Sequence, residues 1–124
     1  MIKVIIVSPQ QEHFSEFTSV CVKTPEVDVK QAESGASALK MASDAPVDLV
    51  VTDEVLNDMT GLELAARLVK LNPMINCACV SPLAPDAFHE ASEGLGLMPQ
   101  LPPMPGKEEA ETLLSTIKQL KGDV

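Results

Sequence analysis

The chain has 124 residues, enough for one domain with one real core, and 45% of them are hydrophobic, which excludes a disordered chain. A formal net charge of −9 excludes a general nucleic-acid binder, which needs a basic face to replace phosphate counterions, and it disfavours an anionic membrane surface as partner. No stretch is apolar enough to span a bilayer and no signal-peptide pattern opens the chain; the 3 cysteines are an odd number, which disfavours a disulfide framework, so the expected setting is the cytoplasm with reduced thiols.

Ile2, Val4, Ile5, Ile6 and Val7 form a short β-branched run, read as the first strand, and Ser8-Pro9 ends it. From about Gln11 to Lys23, Phe14, Phe17, Val20 and Cys21 recur at helical spacing and predict the first helix, closed by Pro25. Val27, Val29 and Gln31 alternate as a second strand. Ser34 caps a helix predicted to run to about Ser43 over Ala38, Leu39 and Ala42. Leu49-Val50-Val51 is a third strand, buried on both faces by its composition. It stops at Thr52-Asp53-Glu54. A helix follows from Gly61 to Leu71, and Asn72-Pro73 ends it. Ile75 to Val80 is a strand of small residues. Pro85 to about Glu93 is a weaker helix. Leu97 to Leu101 is a poorly formed fifth strand, because Pro99 removes a ladder donor. A proline cluster, Pro102, Pro103 and Pro105, precedes an amphipathic helix from Lys107 to Lys121.

Strand and helix thus alternate through one domain spanning residues 1-124. This predicts an α/β fold, doubly wound as (βα)5 in three layers, with a parallel sheet and right-handed crossovers. In such open sheets ligands sit outside the carboxyl ends of the strands, so Asp53 is the first residue to examine for chemistry.

Asp53, then Leu56, then Asp58-Met59-Thr60-Gly61 resembles the phosphoacceptor and following loop of the receiver domain of bacterial two-component response regulators. The spacings from Ser8-Pro9 to Asp53, from Asp53 to Ser81 and from Ser81 to Leu101-Pro102 fit the same family. The resemblance covers essentially the whole chain. It implies a flavodoxin-like, five-stranded sheet of order 2-1-3-4-5 and a phosphoacceptor at Asp53. It also implies a phosphate-contacting hydroxyl at Ser81, and a cis peptide bond at Leu101–Pro102. A family member would further carry two acids that hold Mg²⁺ at the end of the first strand and a lysine at the end of the fifth. Here those positions read Ser8, Pro9 and Leu101, and the aromatic switch position of the fifth strand reads Met98.

These departures govern the expected function. The transferring phosphoryl group and the attacking carboxylate are both anionic, and only cations make their approach favourable. Mg²⁺ wants oxygen ligands, and a hydroxyl and a proline ring replace the acidic pair. Asp53 and the Val55 carbonyl would remain as weak metal candidates. The expectation is therefore a degenerate or pseudo-receiver, non-enzymatic, acting by protein–protein contact, with weak or no Mg²⁺-dependent phosphorylation and no resident cofactor. The alternatives are a working phosphorylated receiver, with Mg²⁺, and a pseudo-receiver that binds a small molecule at the same edge. The implied partner is a histidine kinase, a phosphotransferase or an effector domain, or a second copy docking through the fourth helix, fifth strand and fifth helix. Phe88, Met98 and the outer side of Lys107 to Lys121 would line that face.

Asp53 itself has three readings: phosphoacceptor, solvated strand-end carboxylate, or a structural group that accepts hydrogen bonds from Ser8 and Ser81. Glu12 is a candidate displaced acid. His13 and His89 fall on predicted helices and read as solvated surface histidines. Cys77 and Cys79, spaced i, i+2, read as small buried residues rather than a redox or zinc pair. Pro99 to Pro102 matches PxxP by letter and reads as a rigid loop.

Overall fold

Alternation along the first strand sorts the core into two layers. In the computed structural model, which describes residues 2–81, 83–94, 97–98 and 100–120, β1 spans Ile2–Val7. Ile2, Val4 and Ile6 face one layer and Ile5 and Val7 the other. A 3-10 turn at Gln11–Phe14 leads into α1 (Ser15–Lys23), followed by β2 (Val27–Ala32) and α2 (Gly35–Asp44). Then come β3 (Leu49–Thr52), α3 (Gly61–Leu71), β4 (Asn76–Cys79), α4 (Pro85–Ala91) and α5 (Lys107–Leu120). One layer packs α1 and α5 through Phe14, Phe17, Cys21, Leu113, Leu114 and Ile117; the other packs α2 and α3 through Ala38, Leu64, Ala65 and Leu68. Burying a side chain such as Leu64 or Leu68 contributes about 1.5–3 kcal/mol each. Phe14 and Phe17 meet edge to face, ring centroids 6.2 Å apart, which fixes the bend where the 3-10 turn becomes α1.

The strands run parallel in the order β2-β1-β3-β4. A fifth member lies beside β4 but is less than a strand. The Met98 amide donates to the Cys77 carbonyl (2.9 Å) and the Leu101 amide to Cys79 (3.0 Å), while the Ser81 amide donates to Leu101 (3.1 Å). Only a Val80–Leu101 bridge results. The order 2-1-3-4-5 therefore stands, with four strands in place of the five expected. Prolines 102, 103 and 105 have no amide hydrogen, so the ladder cannot continue past Leu101. Pro99 lies outside the described residues, as does the far end of the predicted last helix at Lys121. The peptide bond between Leu101 and Pro102 is trans, not cis.

Helix starts agree with the sequence. Ser34 caps α2 by accepting from the Ser37 amide (3.1 Å). Thr60 and Glu63 form a capping box at α3: Thr60 Oγ1 accepts from the Glu63 amide, and Glu63 Oε1 accepts from the Thr60 amide. The first helix differs, because its opening turn is 3-10. That tighter pitch changes where His13 points.

Candidate functional site

The register of β1 against β3 builds the site. Val7 pairs with Thr52, and the Asp53 amide donates to the Val7 carbonyl (2.9 Å), so Ser8 and Asp53 leave adjacent strands side by side. Neighbouring strands lie about 4.8 Å apart, within reach of a hydroxyl–carboxylate hydrogen bond. Ser8 Oγ is 2.9 Å from Asp53 Oδ2 and fully buried. Its one proton lies between two acceptors, Asp53 Oδ2 and the Gln10 carbonyl (2.9 Å), and the charged carboxylate is the stronger. Asp53 Oδ1 accepts from the Glu54 amide at 3.0 Å.

His13 joins them. Its Nδ1 lies 2.9 Å from Asp53 Oδ2. A carboxylate only accepts, so the contact places the hydrogen on Nδ1. The reading of His13 as a solvated surface histidine is thereby corrected. Helical periodicity put His13 on an element but could not tell that a 3-10 turn aims it at the end of β3. Ser8 and His13 both bind the aspartate and not each other, so no nucleophilic triad is formed. Gln11 was also missed: its Nε2 caps the carbonyls of Ser8 (3.1 Å) and Ala32 (3.2 Å), closing the gap between β1 and β2. No spacing signal in the sequence marks it.

The remaining residues stand apart. Ser81 is buried, and its Oγ accepts from the Leu83 amide (3.1 Å); no hydrogen bond joins it to Asp53. The structural reading of Asp53 is thus half right, with Ser8 as donor and His13 where Ser81 was expected. Leu101 packs into the α1/α5 layer and presents no polar atom to the site. Pro9 is exposed, Glu12 is exposed on the 3-10 turn, and Val55 is 62% exposed on the loop after β3. Met98 and Phe88 are buried, so neither contributes an exposed docking surface.

The loop that carries Asp53 is pinned at both ends. Asp58 accepts from the amides of Gly35 (2.9 Å) and Ala36 (3.0 Å), tying the loop to the start of α2. Those two donors, the Ala36 amide first, hold its carboxyl below the usual carboxylate range. At Gly61 a Cβ would overlap the Asp53 carbonyl oxygen and approach Cys79 Sγ, so only glycine lets α3 start this close to the site.

The residues do not fit Mg²⁺. Ser8 and Pro9, which follow β1, carry no carboxylate, and Asp53 Oδ2 already binds two hydrogen donors. Among the described residues no cluster of three or more His, Cys, Asp or Glu side chains could hold a metal ion. A cleft of about 260 Å³ between the loop after β3 and the end of β4, lined by Glu54, Val55, Thr60, Cys79, Ser81 and Leu83, falls below the roughly 300–1,000 Å³ of ligand-enclosing pockets. No described helix is long and apolar enough to cross a membrane.

Parallel strands in this order, with the polar side chains gathered at their carboxyl ends, define a flavodoxin-like α/β domain. Within that class the chain belongs to the response regulator receiver domain family, whose model matches residues 4–99. It is therefore a receiver domain of the two-component kind, a signalling module. Solved structures agree in fold. A CheY-like response regulator receiver domain protein from Methanospirillum hungatei is 18% identical with a TM-score of 0.81, covering 98% of each chain. The chemotaxis response regulator CheY4 of Vibrio cholerae is 18% identical with a TM-score of 0.78, covering 94% of this chain and 98% of its own. The signal receiver domain of the putative response regulator NarL from Mycobacterium tuberculosis is 17% identical with a TM-score of 0.79, covering 94% and 96%. No curated protein matches the sequence significantly.

Proposed function

We propose that this receiver domain is degenerate: it signals by protein–protein contact, is not an enzyme, and does not take up phosphate at Asp53 with Mg²⁺. The observation that carries the reading is the state of Asp53 Oδ2. It is held by Ser8 and His13, so the acceptor oxygen is bonded within the domain. Charge supports the same conclusion. Ser8 and Pro9 supply no metal ligand charge, and Leu101 supplies no cation to the incoming dianion. The cysteines, all free and buried, agree with a cytoplasmic setting.

The partner would be a histidine kinase, a phosphotransferase or an effector domain, or a second copy of the chain. One available face is the groove of about 380 Å³ between Gln100, Pro102 and α5, floored by the buried Met98 and Leu101, with Glu108 and Glu109 among its lining residues. With a net charge of −9, it suits a partner with a basic surface.

Acetyl phosphate and Mg²⁺ followed by intact mass test the reading. No acyl phosphate is expected. An adduct sensitive to hydroxylamine and absent in Asp53→Asn would establish the working receiver instead.

A further inference from the structure

Asp53 and His13 meet at the carboxyl edge, and the fold treats their nucleophilic atoms differently. Both oxygens of Asp53 accept hydrogen bonds, Oδ2 from Ser8 and His13 and Oδ1 from the Glu54 amide. On His13, Nδ1 is committed to Asp53, while among the described residues no hydrogen bond reaches Nε2. The His13 side chain is 38% exposed, against 16% for Asp53. With the hydrogen on Nδ1, the neutral ring carries its lone pair on Nε2.

We propose that His13 Nε2, oriented by Asp53, is a phosphoryl-accepting site for donors of the phosphoramidate class. The proposal rests on the reading that Asp53 is not itself the Mg²⁺-dependent acceptor. A carboxylate attacking a phosphoryl dianion meets anion–anion repulsion, which needs a metal or a lysine to offset it. A neutral imidazole meets none. The substitutions that disarm Asp53, at Ser8, Pro9 and Leu101, therefore leave His13 unaffected. Asp53 keeps a role: its charge balances the positive charge that develops on the ring.

The step balances without a further reactant. The Nε2 lone pair forms the bond to phosphorus, and the phosphorus–nitrogen bond of the donor breaks. The donor reacts as its zwitterion, whose nitrogen already carries three hydrogens, so that nitrogen takes the electron pair and leaves as ammonia with no further proton. The Nδ1 hydrogen stays on the ring, now an N-phosphoimidazolium paired with the Asp53 carboxylate. His89, on α4, makes no ring hydrogen bond among the described residues and serves as an internal control.

The full chain is incubated with potassium phosphoramidate in excess EDTA, followed by intact mass and located by peptide fragmentation. One phosphoryl adduct is expected, stable to hydroxylamine and alkali, labile to acid, lost in His13→Gln and kept in His89→Gln. Asp53→Asn should slow its formation about tenfold, as loss of a carboxylate behind a functional histidine commonly does. Nitrogen NMR checks the orientation on which the step depends: the neutral His13 ring should carry its hydrogen on Nδ1 in the parent chain, a preference that weakens in Asp53→Asn, while the adduct yield separates a positioning role from a purely structural one. In a parallel reaction with Mg²⁺ in place of EDTA, a hydroxylamine-labile adduct that survives His13→Gln and vanishes in Asp53→Asn overturns both this proposal and the reading it rests on. No adduct, or one shared equally by His13 and His89, overturns this proposal alone.

Discussion

His13 Nδ1 and Asp53 Oδ2 lie 2.9 Å apart although 40 residues of chain separate them. The contact fastens the 3-10 turn after β1 to the end of β3, at the edge where receiver domains place their acidic site. It is a hydrogen bond to a carboxylate, the stronger kind, made between side chains of two different elements.

The two residues should be energetically coupled. His13→Ala is expected to lower stability by about 1 kcal/mol, a charge-assisted hydrogen bond discounted for the partial exposure of the ring. A double-mutant cycle with Asp53→Asn should return a coupling of roughly 0.5–1 kcal/mol in urea denaturation with an unchanged m-value. Additive single effects would mean that the pair contributes nothing to the folded state.

Two helix starts use glycine against different neighbours, backbone at Gly61 and a flexible side chain at Gly35. Gly61→Ala pushes a Cβ into the Asp53 carbonyl oxygen and the Cys79 sulfur, and a backbone carbonyl held in the sheet cannot move aside. A loss of roughly 2 kcal/mol is expected, as for other overpacked sites. At Gly35→Ala the three nearest atoms all belong to the Met59 side chain, which has several rotatable bonds, so the loss should be smaller than at Gly61, about 1 kcal/mol. Comparing the two denaturation midpoints checks the contrast.

Asp58 gives the fold an acid-sensitive tie. Its carboxyl is depressed by the Ala36 and Gly35 amides, so the folded state binds its proton less readily than the unfolded chain does. That stabilisation is present in full above the ordinary carboxylate pKa of about 4. It is lost as pH falls through the lower folded-state value. Asp58→Asn should therefore reduce stability at pH 7 and show a shallower decline between about pH 5 and pH 2. Stability curves for both proteins that run parallel throughout that range would show that the tie does not form.

The thiols should report global opening. Burial pushes Cys77 and Cys79 up to about 12 and Cys21 up to about 11, the Cys79 shift reinforced by Glu54 and Asp53. Almost no thiolate exists at pH 8, and the sulfurs are enclosed. Labelling by an alkylating reagent should be slow in the native protein, immediate in denaturant, and slowed further by any stabilising substitution. Rapid native labelling of one cysteine would locate a local opening at its strand or helix.

Most of the architecture was legible in the sequence, for a physical reason. The apolar runs of β1 and β3, the 3.6-residue period of α3 and α5, and the stops at Pro25, Asn72 and Pro73 are local signals, and each acts within a few residues. The bounds predicted for α3, Gly61 to Leu71, are those observed. That Ser8, Pro9 and Leu101 carry no charge was legible in the same way, because residue identity needs no fold to be read. The fifth strand was legible only as a weakness, its prolines visible and its reduction to a bridge not.

The site depended on tertiary structure. Whether Asp53 is solvated, reactive or bonded is set by what arrives from β1 and the turn after it, and hydrogen-bond direction over 40 residues leaves no periodic trace. The sequence determined that this protein is a receiver-type α/β domain with a carboxylate, Asp53, where its third strand ends. Only the tertiary structure determined that Ser8 and His13 close on that carboxylate while Ser81 turns to Leu83, because a 3-10 pitch and a one-residue strand register fix those directions.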